Sequence, residues 1–371
     1  MTALRGWLGV VGFCAALLAG ASAYAQQRSV DLERFEPALD GEGFIGVQGT
    51  RTPGKDRISL GLFTDYGSKL LRAERGSGAH VELLERRIGG VLSAELGLGQ
   101  RGALALSVPL VLYQSGELAA PSDPALRAFA LGDPLLHLRY RFVGDASDDP
   151  QQRRDGPGLA LQLSSSLPAG DQNVFAAEPA ARTHLQLLGD MHLLGAGLGA
   201  SVGWRHRFEG RTLIAAALHD ELTFGAALRV PIPPIYTLAG VIEVRGATDF
   251  RARATTAVEG ELGLRYAAGS DLALTLAAGT GFTQGIGTPA FRAILGLWYT
   301  PSDSDADHDG VPDSKDACPF LAEDRDGNSD QDGCPDPDND GDLVPDADDL
   351  CPNDAALENQ DDDEDGCTDR K

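Results

Sequence analysis

The residues best placed to do chemistry lie near the C-terminus. Carboxylates recur at Asp305, Asp307, Asp309, Asp313 and Asp316, and again at Asp338, Asp340, Asp342, Asp346 and Asp349. In each unit they fall at loop positions 1, 3, 5, 9 and 12. This spacing wraps a short loop around one hard cation that takes about six to eight oxygen ligands, so the expected cofactor is Ca2+. The backbone carbonyls of Val311 and Val344 are expected to add a ligand to each loop. Gly310 stands where the first loop turns sharply. Leu343 takes that position in the second, which predicts strain and a weaker site. Two shorter half-sites are Asn328, Asp330 and Asp332 before Gly333, and Asp361, Asp363 and Asp365 before Gly366.

These carboxylates belong to a repeat with an offset of 33 residues. The cysteines keep the same phase, Cys318 with Cys351 and Cys334 with Cys367. An even number of cysteines in an exported chain suggests disulfides. Sequential pairing, Cys318 with Cys334 and Cys351 with Cys367, closes two similar short loops and is one of the possible connectivities. Residues 302–371 hold 26 Asp+Glu against 4 Lys+Arg, whereas residues 1–301 hold 29 against 27. So dense a negative charge excludes nucleic acid as a partner of the tail, because phosphates repel it. With few apolar residues to bury, the segment is expected to be expanded until divalent ions cancel the repulsion and supply folding energy.

The elements ahead of the tail begin with an export signal. Arg5, the apolar run 8–20 and Ala23-Tyr24-Ala25 read as a signal peptide over 1–25. Cys14 leaves with it; Phe13 before it is too bulky for a lipoprotein cleavage site. No later stretch is long enough for a membrane helix. Residues 26–56 form an N-terminal segment to which the sequence assigns no role.

From 57 to 301 the pattern has period two. In Leu136-His137-Leu138-Arg139-Tyr140-Arg141-Phe142, apolar and basic residues alternate throughout. Alternation alone suits a soluble sandwich or a membrane barrel. Long strands, an export signal with no cysteines in the body, and alternating connection lengths favour the barrel. The expected fold is all-β: an antiparallel transmembrane barrel of about twelve strands (10–14 admitted) with an irregular calcium-binding tail. The strands are expected near 57–72, 79–98, 101–113, 132–143, 158–168, 182–193, 198–208, 220–231, 236–246, 256–267, 272–283 and 289–300. The long connection 144–157 breaks the alternation of loops and turns and leaves the count open by two. Closure is demanded because lipid offers no partner to an open sheet edge. An even strand number returns the chain to its starting side, so both ends and the tail are expected in the periplasm of a Gram-negative-type cell.

The inward positions would carry Glu95, His137, Arg139, Arg141, His184, Asp190, His192, Arg205, Arg207, Glu221, Arg229, Glu243, Arg245, Glu259, Glu261 and Arg265. So many long charged side chains favour a narrow or closed lumen. Gly97-Leu98-Gly99-Gln100-Arg101-Gly102 matches a nucleotide-binding fingerprint, but it sits in a turn between strands with no helix after it. His184 and His192 share a strand face about 26 Å apart, too far for one metal. No nucleophile, zinc or phosphate-loop pattern points to an enzyme.

The runs DADHDGVPDSKDACP and DNDGDLVPDADDLCP resemble thrombospondin type 3 repeats, and the likeness covers 303–369. A barrel followed by such repeats resembles the OmpA-type outer-membrane family. That resemblance implies a calcium-stiffened periplasmic spacer, in a family where a peptidoglycan-binding domain often follows the repeats. The sequence ends at Lys371 without one, so wall anchoring by that route is not expected. The functions considered are a structural barrel anchoring a periplasmic spacer or interaction arm, a small-solute channel, and a calcium-dependent adhesin with its tail on the cell surface. The expected partners are outer-membrane lipid and periplasmic or cell-wall components; the sequence leaves the oligomeric state open.

Overall fold

The computed structural model describes residues 30–40, 43–55, 57–74, 80–117, 126, 129–144, 156–172, 174–193, 196–209, 211–213, 216–268, 271–301, 309–311, 317–318, 321–356 and 365–368. The chain divides into two compact units, Met1–Pro301 and Ser302–Lys371.

The first unit is a closed antiparallel barrel of twelve strands. They are β1 (Ile58–Glu74), β2 (His80–Leu98), β3 (Gly102–Ser115), β4 (Leu135–Val143), β5 (Gly156–Ser166) and β6 (Arg182–Leu193). The circuit continues with β7 (Ala196–Arg207), β8 (Glu221–Ile232), β9 (Ile235–Thr248), β10 (Ala257–Ala268), β11 (Leu272–Gly281) and β12 (Phe291–Tyr299). Each strand pairs with the next, and β12 closes on β1 with Leu60 opposite Tyr299 and Ser68 opposite Phe291. The long connection after β4 leaves the count at twelve, because β4 and β5 pair directly from Leu135–Ser166 to Val143–Leu159. Apart from the long connection between β4 and β5, the connections at one end of the barrel, here the turn end, are short turns, and most of those at the other, the loop end, are longer. The short pair Arg211–Leu213 and Ala216–Leu218 forms a hairpin within one of the long connections.

Alternation sorts the side chains into two environments. Leu60, Leu138 and Leu295 point outward and are 49%, 50% and 58% exposed. Leucines exposed in that number around a whole surface are stable only against hydrocarbon. The inward positions between them are buried and mostly polar or small: Ser93, Glu95, His137, Arg139, Gln162 and Ser164 are each at most 5% exposed. Among the described residues no helix is long and apolar enough to cross a membrane.

The interior is not empty. Residues 30–40 and 43–55 run through it as a thread without regular secondary structure. At the loop end the Leu32 amide donates to the Phe175 carbonyl (3.3 Å), and Arg34 Nε donates to the Ile286 carbonyl (2.6 Å). At the turn end the Gly97 amide donates to the Arg57 carbonyl (2.9 Å), and the Arg57 amide to that of Gly54 (3.4 Å). Residue 30, where the described chain begins, therefore lies at the mouth opposite the start of β1. Strand parity fixes where β1 begins and β12 ends, but the segment ahead of β1 doubles back through the barrel to the opposite mouth.

The second unit has no helix or strand among its described residues. Disulfides join Cys318 to Cys334 and Cys351 to Cys367, the sequential arrangement. The sequence repeat is also a structural one. The Val311 and Glu323 amides donate to the Asp309 carboxylate, and 33 residues on the Val344 and Ala356 amides donate to that of Asp342. The Ala317 amide donates to the Asp332 carbonyl, and the Leu350 amide to that of Asp365.

Candidate functional site

Two side-chain systems stand out, the threaded lumen and the acidic repeats. In the lumen, the thread supplies Phe35, Phe44, Ile45 and Val47 to an apolar cluster with Phe63, Val91, Val241, Ile294 and Trp298 from the wall. Phe63 lies between Phe35 and Trp298, with ring centroids 6.2 and 6.1 Å away. Gly61 and Gly296 are required there, since a Cβ on either would meet the Trp298 or Phe63 ring at under 3 Å. Burying four large apolar side chains stabilises the seated thread by about 1.5–3 kcal/mol each before the entropy of ordering the segment is subtracted.

Polar contacts fix the same thread along its length. Asp31 pairs with Arg182 (2.9 Å), Glu33 with Arg292 (2.9 Å) and Arg87 (3.6 Å), and Glu36 with Arg205 (3.3 Å). Arg34 reaches Glu221 in return (3.1 Å). Midway, the Gly46 and Val47 amides donate to Glu243 Oε2 (2.8 and 3.1 Å), and the Ile45 amide donates to Oε1. Such a nest of N–H groups is a natural anion receptor, here turned around an internal carboxylate. The Phe44 carbonyl accepts from Arg265 (2.7 Å), and that of Gly49 accepts from Arg139 (3.2 Å). Near the turn end the Thr50 amide and hydroxyl both donate to Asp190 (2.8 Å). A cavity of about 80 Å³ remains beside the thread, lined by Arg34, Glu36, Gln48, His184 and Arg205 among others. That is room for a handful of waters.

Apolar side chains gather at the loop-end mouth. Val30 and Leu32 of the thread pack with Leu70, Leu71, Leu83 and Leu84 from β1 and β2. Leu213 and Leu218 of the hairpin and Ile286 of the connection to β12 join them.

All sixteen side chains assigned to the lumen from sequence occupy inward strand positions. The structure brings Arg245 together with Glu259 and Glu261, Arg205 and Arg207 with Glu221, and Arg139 with Glu95. It keeps His137 and His184 in separate hydroxyl contacts. His137 touches Ser164 and Ser107 (2.8 and 3.2 Å), and His184 touches Thr223 (2.8 Å). Sequence reasoning missed Asp65, Arg87, Arg182 and Arg292. Arg292 is fully buried against Asp65 (2.6 Å) and Glu259 (3.1 Å). A charge at inward parity on β1, β2, β6 or β12 was the signal available. The thread itself was missed altogether.

In the tail, Asp309, Val311, Asn328, Asp330, Asp332, Asp338, Asp340, Asp342, Val344, Asp346, Asp349 and Asp365 are described, whereas Asp305, Asp307, Asp313, Asp316, Asp361 and Asp363 lie outside the described residues. Asp338, Asp340 and Asp342 each turn one carboxylate oxygen to a common point, all within 4.8 Å of one another. Oxygens on opposite sides of a calcium ion stand about 5 Å apart, so this donor set fits Ca2+. One oxygen each of Asp340, Asp346 and Asp349 is buried without a hydrogen-bond donor, as ligands awaiting a cation would be. The Asp340 carboxyl is pushed above its usual range by desolvation, with the charges of Asp342 and Asp349 adding to it. Asn328 is drawn elsewhere: its amide donates to Asn339 Oδ1 (2.8 Å), so it is not gathered with these three. Leu343 has φ +80°, in the left-handed region, where its counterpart Gly310 has +94°.

No protein-family model matches the sequence, and no curated protein is detectably similar to it. The likeness to thrombospondin repeats and to the OmpA family therefore rests on the motifs alone. Solved structures do match the barrel. An outer-membrane channel of Pseudomonas putida F1 aligns with a TM-score of 0.51 at 12% identity, over 68% of this chain and 98% of that one. The NanC porin aligns at 0.43 with 9% identity, over 65% and 98%. The KdgM porin aligns at 0.40 with 8% identity, over 66% and 99%. The first unit has the fold of an outer-membrane β-barrel.

Proposed function

We propose that the protein is an outer-membrane channel for small solutes, held shut by its own N-terminal segment, and that its role is transport rather than catalysis. The observation that carries this reading is the thread. A barrel used only as an anchor can fill its lumen with the side chains of its own wall, whereas a lumen with a separate, removable filling has the parts of a gate. The thread carries no regular hydrogen-bonded structure of its own, so it can leave without unfolding the wall. Sequence reasoning favoured a structural anchor with the channel as an alternative; the threaded lumen reverses that order.

The tail is then an accessory. With the turn end facing the periplasm, as short turns do in barrels of this kind, β12 delivers the tail there. Loaded with Ca2+ through Asp338, Asp340 and Asp342, it would act as a stiffened spacer toward periplasmic or cell-wall components. The metal supplies charge neutralisation and folding energy, not reactivity.

Planar-bilayer recordings test the main reading. Full-length protein is expected to conduct rarely, and protein lacking residues 30–55 to conduct continuously. A deletion that keeps the heat-dependent gel mobility of a folded barrel yet stays silent would refute it.

A further inference from the structure

The inward strand positions carry ten arginines, no lysine and seven carboxylates among the described residues. Four of those arginines, Arg87, Arg182, Arg205 and Arg292, lie toward the loop end on β2, β6, β7 and β12. They grip a short acidic stretch of the thread from several sides. Their partners are Asp31, Glu33 and Glu36, at 2.9–3.6 Å. Arginine forks match planar oxyanions, and the guanidinium is the side chain suited to holding carboxylate or phosphate away from water.

We infer that these four arginines form a binding site for acidic, multiply carboxylated solutes, which the thread's Asp31, Glu33 and Glu36 occupy as an internal stand-in. This rests on the reading of the thread as a plug. With the thread seated, its carboxylates balance the wall. With it withdrawn, Arg87 loses Glu33, whereas Arg182 keeps Glu178 at 3.6 Å, Arg205 keeps Glu221 at 3.2 Å and Arg292 keeps Asp65 at 2.6 Å and Glu259 at 3.1 Å. The inward strand positions then carry ten arginines against seven carboxylates, with the thread's Asp31, Glu33 and Glu36 no longer beside them. A solute bearing two or three carboxylates replaces those contacts one for one. A neutral or cationic solute leaves buried guanidinium groups uncompensated, a penalty that returns the thread to its seat. The same arginines therefore select the solute and couple its arrival to opening.

The site can be read without conduction. The four tail cysteines are in disulfides, so Thr50→Cys places a free thiol on the thread, at a position that is 0% exposed. Full-length protein in micelles is treated with a water-soluble maleimide, with citrate as the probe. Citrate is expected to speed labelling about tenfold over potassium chloride of equal ionic strength, within the usual range of site-to-site coupling. Spermidine is expected to have no effect. Arg87→Gln with Arg182→Gln should raise the rate without citrate and abolish the citrate response. No response in a barrel of native gel mobility overturns the inference, as does an equal response in the arginine variant. In bilayers, Asp31→Asn with Glu33→Gln and Glu36→Gln should open the lumen and pass chloride several-fold better than potassium. Opening without anion preference overturns this inference and leaves the channel reading standing. Silence of both this variant and the thread deletion overturns the channel reading, and the citrate labelling still decides the binding site.

Discussion

Glu243 offers the sharpest test of what holds the thread in place. It is 1% exposed and accepts from the consecutive amides of Ile45, Gly46 and Val47. A hydrogen bond to a charged group contributes about 1.5–3 kcal/mol. Glu243→Gln keeps the shape but leaves one acceptor and turns an NH2 toward the remaining N–H donors. Turned to keep the Gly46 and Val47 bonds, the carbonyl loses that of Ile45 (~1.5–3 kcal/mol) and leaves its N–H buried against the NH2 (~1–3 kcal/mol more), a gross cost of ~2.5–6 kcal/mol. Against this, the variant no longer buries a charge, which returns several kcal/mol. The net loss is expected near 2 kcal/mol, or about thirtyfold in the ratio of displaced to seated thread. Maleimide labelling of Thr50→Cys, with and without Glu243→Gln, reads that ratio directly. Phe44→Ala in the same background calibrates the apolar contribution, at ~3–5 kcal/mol. If Glu243→Gln leaves the labelling rate unchanged while Phe44→Ala raises it, packing alone seats the thread, and the anion nest has no part in the gate.

Two further outcomes concern the tail. Leu343 holds a left-handed backbone and is 88% exposed, so Leu343→Gly removes strain at little cost in packing. A gain of ~1 kcal/mol is expected, or about fivefold tighter calcium binding by chelator competition; equal or weaker binding would count against the loop assignment. The raised Asp340 carboxyl sets a pH dependence. The cation-free folded tail holds that proton more readily than the unfolded chain, so this contribution favours the fold at low pH and is lost as pH rises through the raised value. Calcium needs the ionised group, and its protection of the tail from protease should weaken between neutrality and about pH 4. Protection that is unchanged across this range would exclude Asp340 as a ligand.

The barrel was legible because lipid and lumen write opposite demands on successive residues. Leu136 to Phe142 states the face of every side chain in β4, and the structure places Leu136, Leu138 and Tyr140 outward and His137 and Arg139 inward. Strand ends fell within a few residues for the same reason. The 33-residue repeat was legible from carboxylates and cysteines in phase, and its hydrogen bonds recur with that offset. The thread was not legible. Phe35, Phe44, Ile45 and Val47 follow no period, because their contacts are set by a wall whose partners lie up to about 250 residues away in sequence. Segment 30–55 reads as a polar, glycine-containing linker, and only the barrel around it gives its apolar residues a place to go. The parity rule counts strands and is blind to chain that crosses without pairing, so it gave no sign that residue 30 lies at the loop end.

The two kinds of contact along the thread divide its work. Apolar packing of Phe35, Phe44, Ile45 and Val47 resists withdrawal whatever the solution contains. The ion pairs are also sheltered, with the Arg292 side chain 0% and that of Arg87 2% exposed, so they are screened far less than surface pairs by mobile ions. Raising simple salt should therefore not open such a gate. What releases it is a partner that enters the lumen and presents oxyanions to the same guanidinium groups, because only then is no charge left buried and unpaired on the way out. A lock made of counter-charge answers to the chemistry of the solute and ignores its ionic strength, which is the property required of a passage that must stay shut against ordinary electrolyte.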